Sequence, residues 1–180
     1  GAMMHHFATR QALIVATVEY AHEKVSEFRS SELEKYEPGL PRFRAIVDVS
    51  VVTQMTPEGM ACNEVRIGSR SDPEIRAAVT PTMSFISDEY GRLVASLARS
   101  AGLQPNREVQ SLTATMAMAA RALAINTFTY PRANIDESVI WMIRNIREDI
   151  IARQLGEKLA ERPQPLPETR PHSKPRETKA

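Results

Sequence analysis

The amino-acid sequence predicts an all-α protein, and three observations carry that prediction. Apolar residues recur at three- and four-residue steps over most of the chain, the period of a helix with one buried face. Helix-starting signals recur as well: Thr9, Thr56, Asp72, Asn106 and Asn134 each precede such a stretch, twice with proline directly after. Alternating strand patterns are almost absent. The one competitor is Ala45 to Val52, where Ile46, Val47, Val49, Val51 and Val52 are β-branched. It reads as helix, because its neighbours are helical and no turn pairs it with a second strand.

The first helix starts after Thr9 and carries Leu13, Ile14, Val18, Ala21, Val25 and Phe28 on its apolar face. It is expected to end in the polar stretch Arg29 to Glu37, with Pro38-Gly39 as the turn. The second runs from Leu40-Pro41 to about Gln54. Thr56-Pro57-Glu58 opens a short helix reaching about Ser69. Ser71-Asp72-Pro73-Glu74 opens a long one, with Ile75, Val79, Met83, Ile86, Tyr90, Leu93 and Leu97 on one face and Gly102 as its stop. Pro81 lies inside it and is expected to kink it. Asn106 caps a helix from Arg107 to Thr129, closed by Pro131, and Asn134 one from Ile135 to about Ala160. Beyond lie Pro163, Pro165, Pro167, Pro171 and Pro175, with Leu166 the one apolar residue before Ala180. Residues 161–180 therefore read as a disordered, mildly basic tail, inert rather than DNA-binding.

Composition sets bounds on function. A net charge of +1 points to neither nucleic acid nor an acidic substrate. The single cysteine, Cys62, cannot form an internal disulfide and fits a reducing cytoplasm; as a small buried hydrophobe it needs no redox role. No run of about 18 apolar residues is present to span a membrane. Aromatics make up 6% and methionine occurs 8 times, a core able to reshape around irregular guests. No Ser-His-Asp order, phosphate loop or nucleophile elbow appears, and Gly59, Gly68 and Gly91 are isolated, so no enzyme and no cofactor is expected. His5, His6 and His22 match no metal-site spacing. Glu19, Glu23 and Glu27 recur at the step of a solvated helix face.

The first thirteen residues are the most specific. Gly1-Ala2-Met3-Met4-His5-His6-Phe7-Ala8-Thr9-Arg10-Gln11-Ala12-Leu13 resembles the end of the helix-turn-helix in TetR-type regulators. In that family the recognition helix typically closes Gly-Ala-Leu-Tyr-His-His-Phe, followed by a capped turn and Lys-Glu-Ala-Leu. Met3 matches the Leu, Met4 the Tyr, His6-Phe7 the His-Phe pair, Thr9 the cap and Arg10 the Lys. Met4 lacks the hydroxyl that usually touches the DNA backbone. A second stretch, Ser71-Asp72-Pro73-Glu74-Ile75-Arg76-Ala77-Ala78 through Ala98-Arg99-Ser100-Ala101-Gly102, is similar to the long central helix of the family's regulatory domain.

The resemblance covers residues 1 to about 160 and implies a TetR-type helical bundle. Residues 1–8 would be the remnant of the recognition helix, or begin with a cloning scar at Gly1-Ala2-Met3. Residues 9–160 would be the ligand-binding and dimerisation domain. About 45 residues of DNA reader would precede Gly1, so operator binding is expected of a longer chain only. There, Thr9 and Arg10 would face a DNA phosphate. The implied effector is small and largely apolar, in a pocket expected at Met55, Met60, Met83, Ile86, Tyr90 and Met116, with Glu64 as polar anchor.

The helix from Arg107 has two apolar faces: Val109, Leu112, Met116, Ala119 and Leu123 on one, Met118, Ala122 and Ile125 on the other. The last helix carries Ile135, Val139, Trp141, Met142, Ile143, Ile146, Ile150, Ile151 and Leu155, wider than one stripe. In the family the last two helices pair with their copies as a four-helix homodimer interface, here expected at Met118, Ala122, Ile125, Val139, Met142, Ile143, Ile146 and Ile150. A monomeric bundle burying both faces is the alternative, and a helical adaptor or small-molecule carrier is the alternative function.

Overall fold

The computed structural model describes residues 7–129 and 133–156, with backbone alone at 128–129 and 133–136. Its described residues form six helices and no strand: α1 Arg10–Glu34, α2 Leu40–Gln54, α3 Pro57–Gly68, α4 Pro73–Ser100, α5 Arg107–Thr129 and α6 Ala133–Leu155. No helix among them is long and apolar enough to cross a membrane.

The β-branched stretch of α2 is helical because the helix is buried on nearly every side. It touches all five of the others. Phe43, Ala45, Ile46, Val47, Val49, Ser50, Val51 and Thr53 are all buried along it. Apolar residues all round a helix mean that every face meets protein, and tertiary burial then outweighs the small helix cost of β-branching. The turn into α2 needs Gly39, whose φ of 89° suits a residue without a Cβ.

The start signals act as expected where side chains are described. Thr9 Oγ1 accepts from the Ala12 N–H, Thr56 Oγ1 from Gly59 and Asp72 Oδ1 from Glu74 and Ile75. Asn106 Oδ1 does the same for α5, accepting from Glu108 and Val109. The α4 stop is a Schellman turn: the Leu103 N–H reaches the Ala98 carbonyl and the Gly102 N–H the Arg99 carbonyl, with Gly102 at φ 77°.

Helix α1 ends at Glu34, inside the polar stretch expected to close it, after Val25, Arg29 and Leu33 continue its buried face at four-residue steps. Helix α4 continues as helix through Pro81, the residue expected to kink it, whose exposed ring takes one N–H out of the ladder. Helix α6 begins at Ala133, one residue ahead of the Asn134 expected to cap it, within the fraying of helix ends. The Asn134 side chain, the closing Pro131, the stretch to Ala160, the tail and residues 1–6 lie outside the described residues.

The core has two main parts. One joins Phe43, Ile46 and Val47 of α2 to Val94 and Leu97 of α4, Leu112 and Met116 of α5, and Ile143, Ile150 and Ile151 of α6. The other joins Val18 of α1 to Ile75, Val79 and Met83 of α4, flanked by Cys62 and Val65 of α3. Helix α6 is pinned to α2 by charge as well: Arg44 pairs with Glu148, Arg144 with Asp48, and the buried Arg147 donates to the Arg44 carbonyl.

Phe43 is fully buried while Tyr20 is largely exposed. Phe43→Ala is expected to cost about 3–5 kcal/mol and Tyr20→Ala within about 0.5 kcal/mol, measured by denaturant unfolding at one protein concentration. Equal losses would contradict the placement of the core.

Candidate functional site

A cavity of about 120 Å³ lies inside the bundle, walled by five of the six helices. Its position follows from the divided core. Along α1 it falls at His22, Val25 and Arg29, between Val18 of one apolar cluster and Leu33 of the other. Along α4 it falls at Met83, Ile86, Ser87 and Tyr90, between Val79 and Val94. Helix α2 contributes its polar C-terminal turn, Ser50, Thr53 and Gln54, and α5 the successive face Ala117, Ala120 and Arg121.

Helix α3 supplies Gly59, Cys62, Asn63 and Arg66, one face at helical spacing. Gly59 makes that approach possible. A Cβ there would stand 2.4 Å from the Thr53 carbonyl oxygen, so any larger residue would push α3 off the end of α2.

The polar wall is cationic. Arg29 is 6% exposed, and its guanidinium lies 5.2 Å from the centre of the Tyr90 ring. It makes no hydrogen bond or ion pair with the described residues. Burial lowers its pKa, opposed by the Tyr90 and Glu89 charges. Burial also lowers that of Arg121, and the positive charge of Arg66 adds to the effect. Guanidinium groups stay protonated through such shifts. Arg66 has one polar contact among these residues, from Nη2 to the Met83 sulfur at 3.2 Å, a weak acceptor. No carboxylate lines the cavity.

The remaining polar groups divide into satisfied and unsatisfied. The Ser50 hydroxyl donates to the Ile46 carbonyl, so the Tyr90 hydroxyl, 2.6 Å away, must donate to Ser50. Burial raises the Tyr90 pKa and keeps that proton in place. His22 Nε2 is engaged with Glu89 at 2.7 Å. Asn63, by contrast, is 2% exposed and its Nδ2 has no partner.

Of the residues expected to form a pocket, Met83, Ile86 and Tyr90 line the cavity. The other four lie elsewhere. Met116 is buried in the main core, Met55 caps α2 in an exposed position, Glu64 is exposed, and Met60 is half-buried off the cavity. Arg29, Asn63, Arg66 and Arg121 were not anticipated. The signal for Arg29 lay in its register, since it interrupts an apolar stripe between Val25 and Leu33.

The expected interface residues also separate. Met118 and Met142 are 64% and 58% exposed, and Ile146 and Ala122 are exposed too. Ile125 and Val139 are half-buried. Ile143 and Ile150 instead belong to the core, because that side of α6 packs toward α2. At the start of α1, Thr9 caps its own helix and the exposed Arg10 reaches Asp72 at 3.4 Å, a weak surface pair that a phosphate can displace. His5 and His6 lie outside the described residues, among which no three potential metal ligands cluster.

Comparison with protein-family models, curated proteins and solved structures returns no match.

Burial pushes the Cys62 thiol up, and the thiolate is the reactive form. Cys62 is therefore expected to react with iodoacetamide at pH 7.5 at least about tenfold more slowly than glutathione, followed by intact-protein mass. Alkylation as fast as glutathione's would mean an open, activated thiol.

Proposed function

We propose that this chain is the effector-binding and dimerisation part of a cytoplasmic TetR-type transcriptional regulator, acting as a repressor when joined to its DNA reader. The observation that carries the reading is the cavity's wall on α1. His22, Val25 and Arg29 face the cavity from the same helix whose N-terminal end holds Thr9 and Arg10, the residues of the DNA-proximal motif. A small molecule in the cavity bears on α1 from inside the bundle. A change in the tilt or position of α1 alters the spacing of two DNA readers in a dimer. Such a ligand shifts the equilibrium only by as much as it favours one arrangement over the other. Helix α4, tied to the start of α1 by Arg10–Asp72 and Gln11–Glu74, would move with it, and Pro81 is the point at which it would bend in response.

The order of the helices supports this reading, with a connecting helix, a three-helix pocket region and a final antiparallel pair. So does the apolar face left on that pair. Met118 and Ala122 of α5 are exposed one turn apart, as are Met142 and Ile146 of α6. Side chains of this kind, exposed together, mark a surface that is covered by a partner. In a homodimer the same two helices from each copy form the four-helix interface.

Light scattering with size-exclusion chromatography is expected to give twice the chain mass of 20.1 kDa. Met118→Glu together with Met142→Glu is expected to give a folded monomer. A wild-type monomer at tens of micromolar would remove the dimer from the reading and favour a helical adaptor for another protein.

A further inference from the structure

The cavity's contents are chemically one-sided. Three guanidinium groups, Arg29, Arg66 and Arg121, share it with the unpartnered Asn63 amide donor, and no carboxylate lines it. Buried charge is normally paired, because an ion removed from water without a counter-charge costs several kcal/mol. Arg29 makes no ion pair among the described residues, and only the face of Tyr90 and the charge of Glu89 offset its burial. The half-buried Arg121 has no hydrogen bond or ion pair there, and the exposed Arg66 adds like-charge repulsion. Asn63 Nδ2 is buried with no partner. The ionised side chains on the wall are all cations, and the missing partner is an anion.

The other wall fixes the rest of the ligand. Val25, Met83, Ile86, Ala117 and Ala120 present apolar surface to the same space. An inorganic anion would leave that surface facing a void. The volume of about 120 Å³ is close to that of an engineered apolar cavity of roughly 150 Å³ that holds benzene. We propose that the cavity binds a small organic monocarboxylate, its carboxylate held by the Arg29, Arg66 and Arg121 guanidinium groups and its compact apolar body against Met83 and Ile86. Planar guanidinium suits a carboxylate because it can donate two parallel N–H bonds to it. The largely apolar effector expected from the sequence thus becomes an amphipathic anion. This inference rests on the reading of the cavity as an effector site.

The test is calorimetric titration of the full chain with benzoate and hexanoate, each against its neutral amide, benzamide and hexanamide, at matched ionic strength. The carboxylates are expected to bind saturably and at least tenfold more tightly than the amides. Arg121→Gln removes one half-buried cation. Asn63→Asp places a resident carboxylate on the cavity wall. Each is expected to weaken carboxylate binding at least tenfold and to lower the carboxylate-to-amide ratio, with circular dichroism confirming the fold. If a variant fails to fold, the carboxylate-to-amide ratio of the wild type decides alone. Equal binding of acids and amides would overturn the anion assignment and leave the effector cavity standing. No binding of either up to 10 mM would overturn both.

Discussion

Burial of α2 on nearly every face is the constraint on which the rest of the molecule depends. A helix touched by all five others can carry little but apolar and small side chains. From Ala45 to Thr53 its one ionised residue is Asp48, which is half-buried and matched by Arg144 of α6. Around this pillar α4, α5 and α6 each bury one stripe, and α1 and α3 close the remaining sides. The apolar filling stops where α2 turns polar. Ser50, Thr53 and Gln54 occupy its last turns, and the cavity opens against them. The site is therefore a consequence of how the central helix ends.

The same geometry sets the part that α1 and α4 play in the proposed function. Both are long enough to pass from one apolar cluster to the other, and both present polar or cavity-lining residues between them. A cluster on each side of a void gives two firm regions joined by two helices, the arrangement through which the proposed effector would shift one region relative to the other. The buried Arg29 is costly in the absence of a counter-charge. Local departures from ordinary core chemistry are concentrated where a fold binds something.

Much of the fold was legible in the residues. Period, caps and stops placed all six helices, and the Schellman stop at Gly102 was readable from the glycine itself. The end of α1 was legible only as a range, because a polar stretch resembles a helix end until its register is followed to Leu33. The two faces of α5 were also legible: Val109, Leu112, Met116 and Leu123 are buried while Met118 and Ala122 are exposed. The broader apolar surface of α6 was not divisible in advance, since nothing local marks Ile143 for α2 and Ile146 for the outside. The cavity was half legible. Periodicity identifies the inward side of each helix, yet which inward sides meet at a void depends on three-dimensional closure. Methionine content misled for that reason, with Met116 taken up by the core and Met55 at an exposed helix end. The arginines were passed over because charge along a helix usually means solvent.

The claim that everything else is hung on α2 is tested most directly by native-state hydrogen exchange. Amides between Phe43 and Thr53 are expected to exchange only through global unfolding, with the same free energy as denaturant unfolding, while those of α3 exchange through smaller openings. Exchange of the α2 amides at or below the opening energy of α3 would contradict the account, because the pillar would then open before the walls it supports.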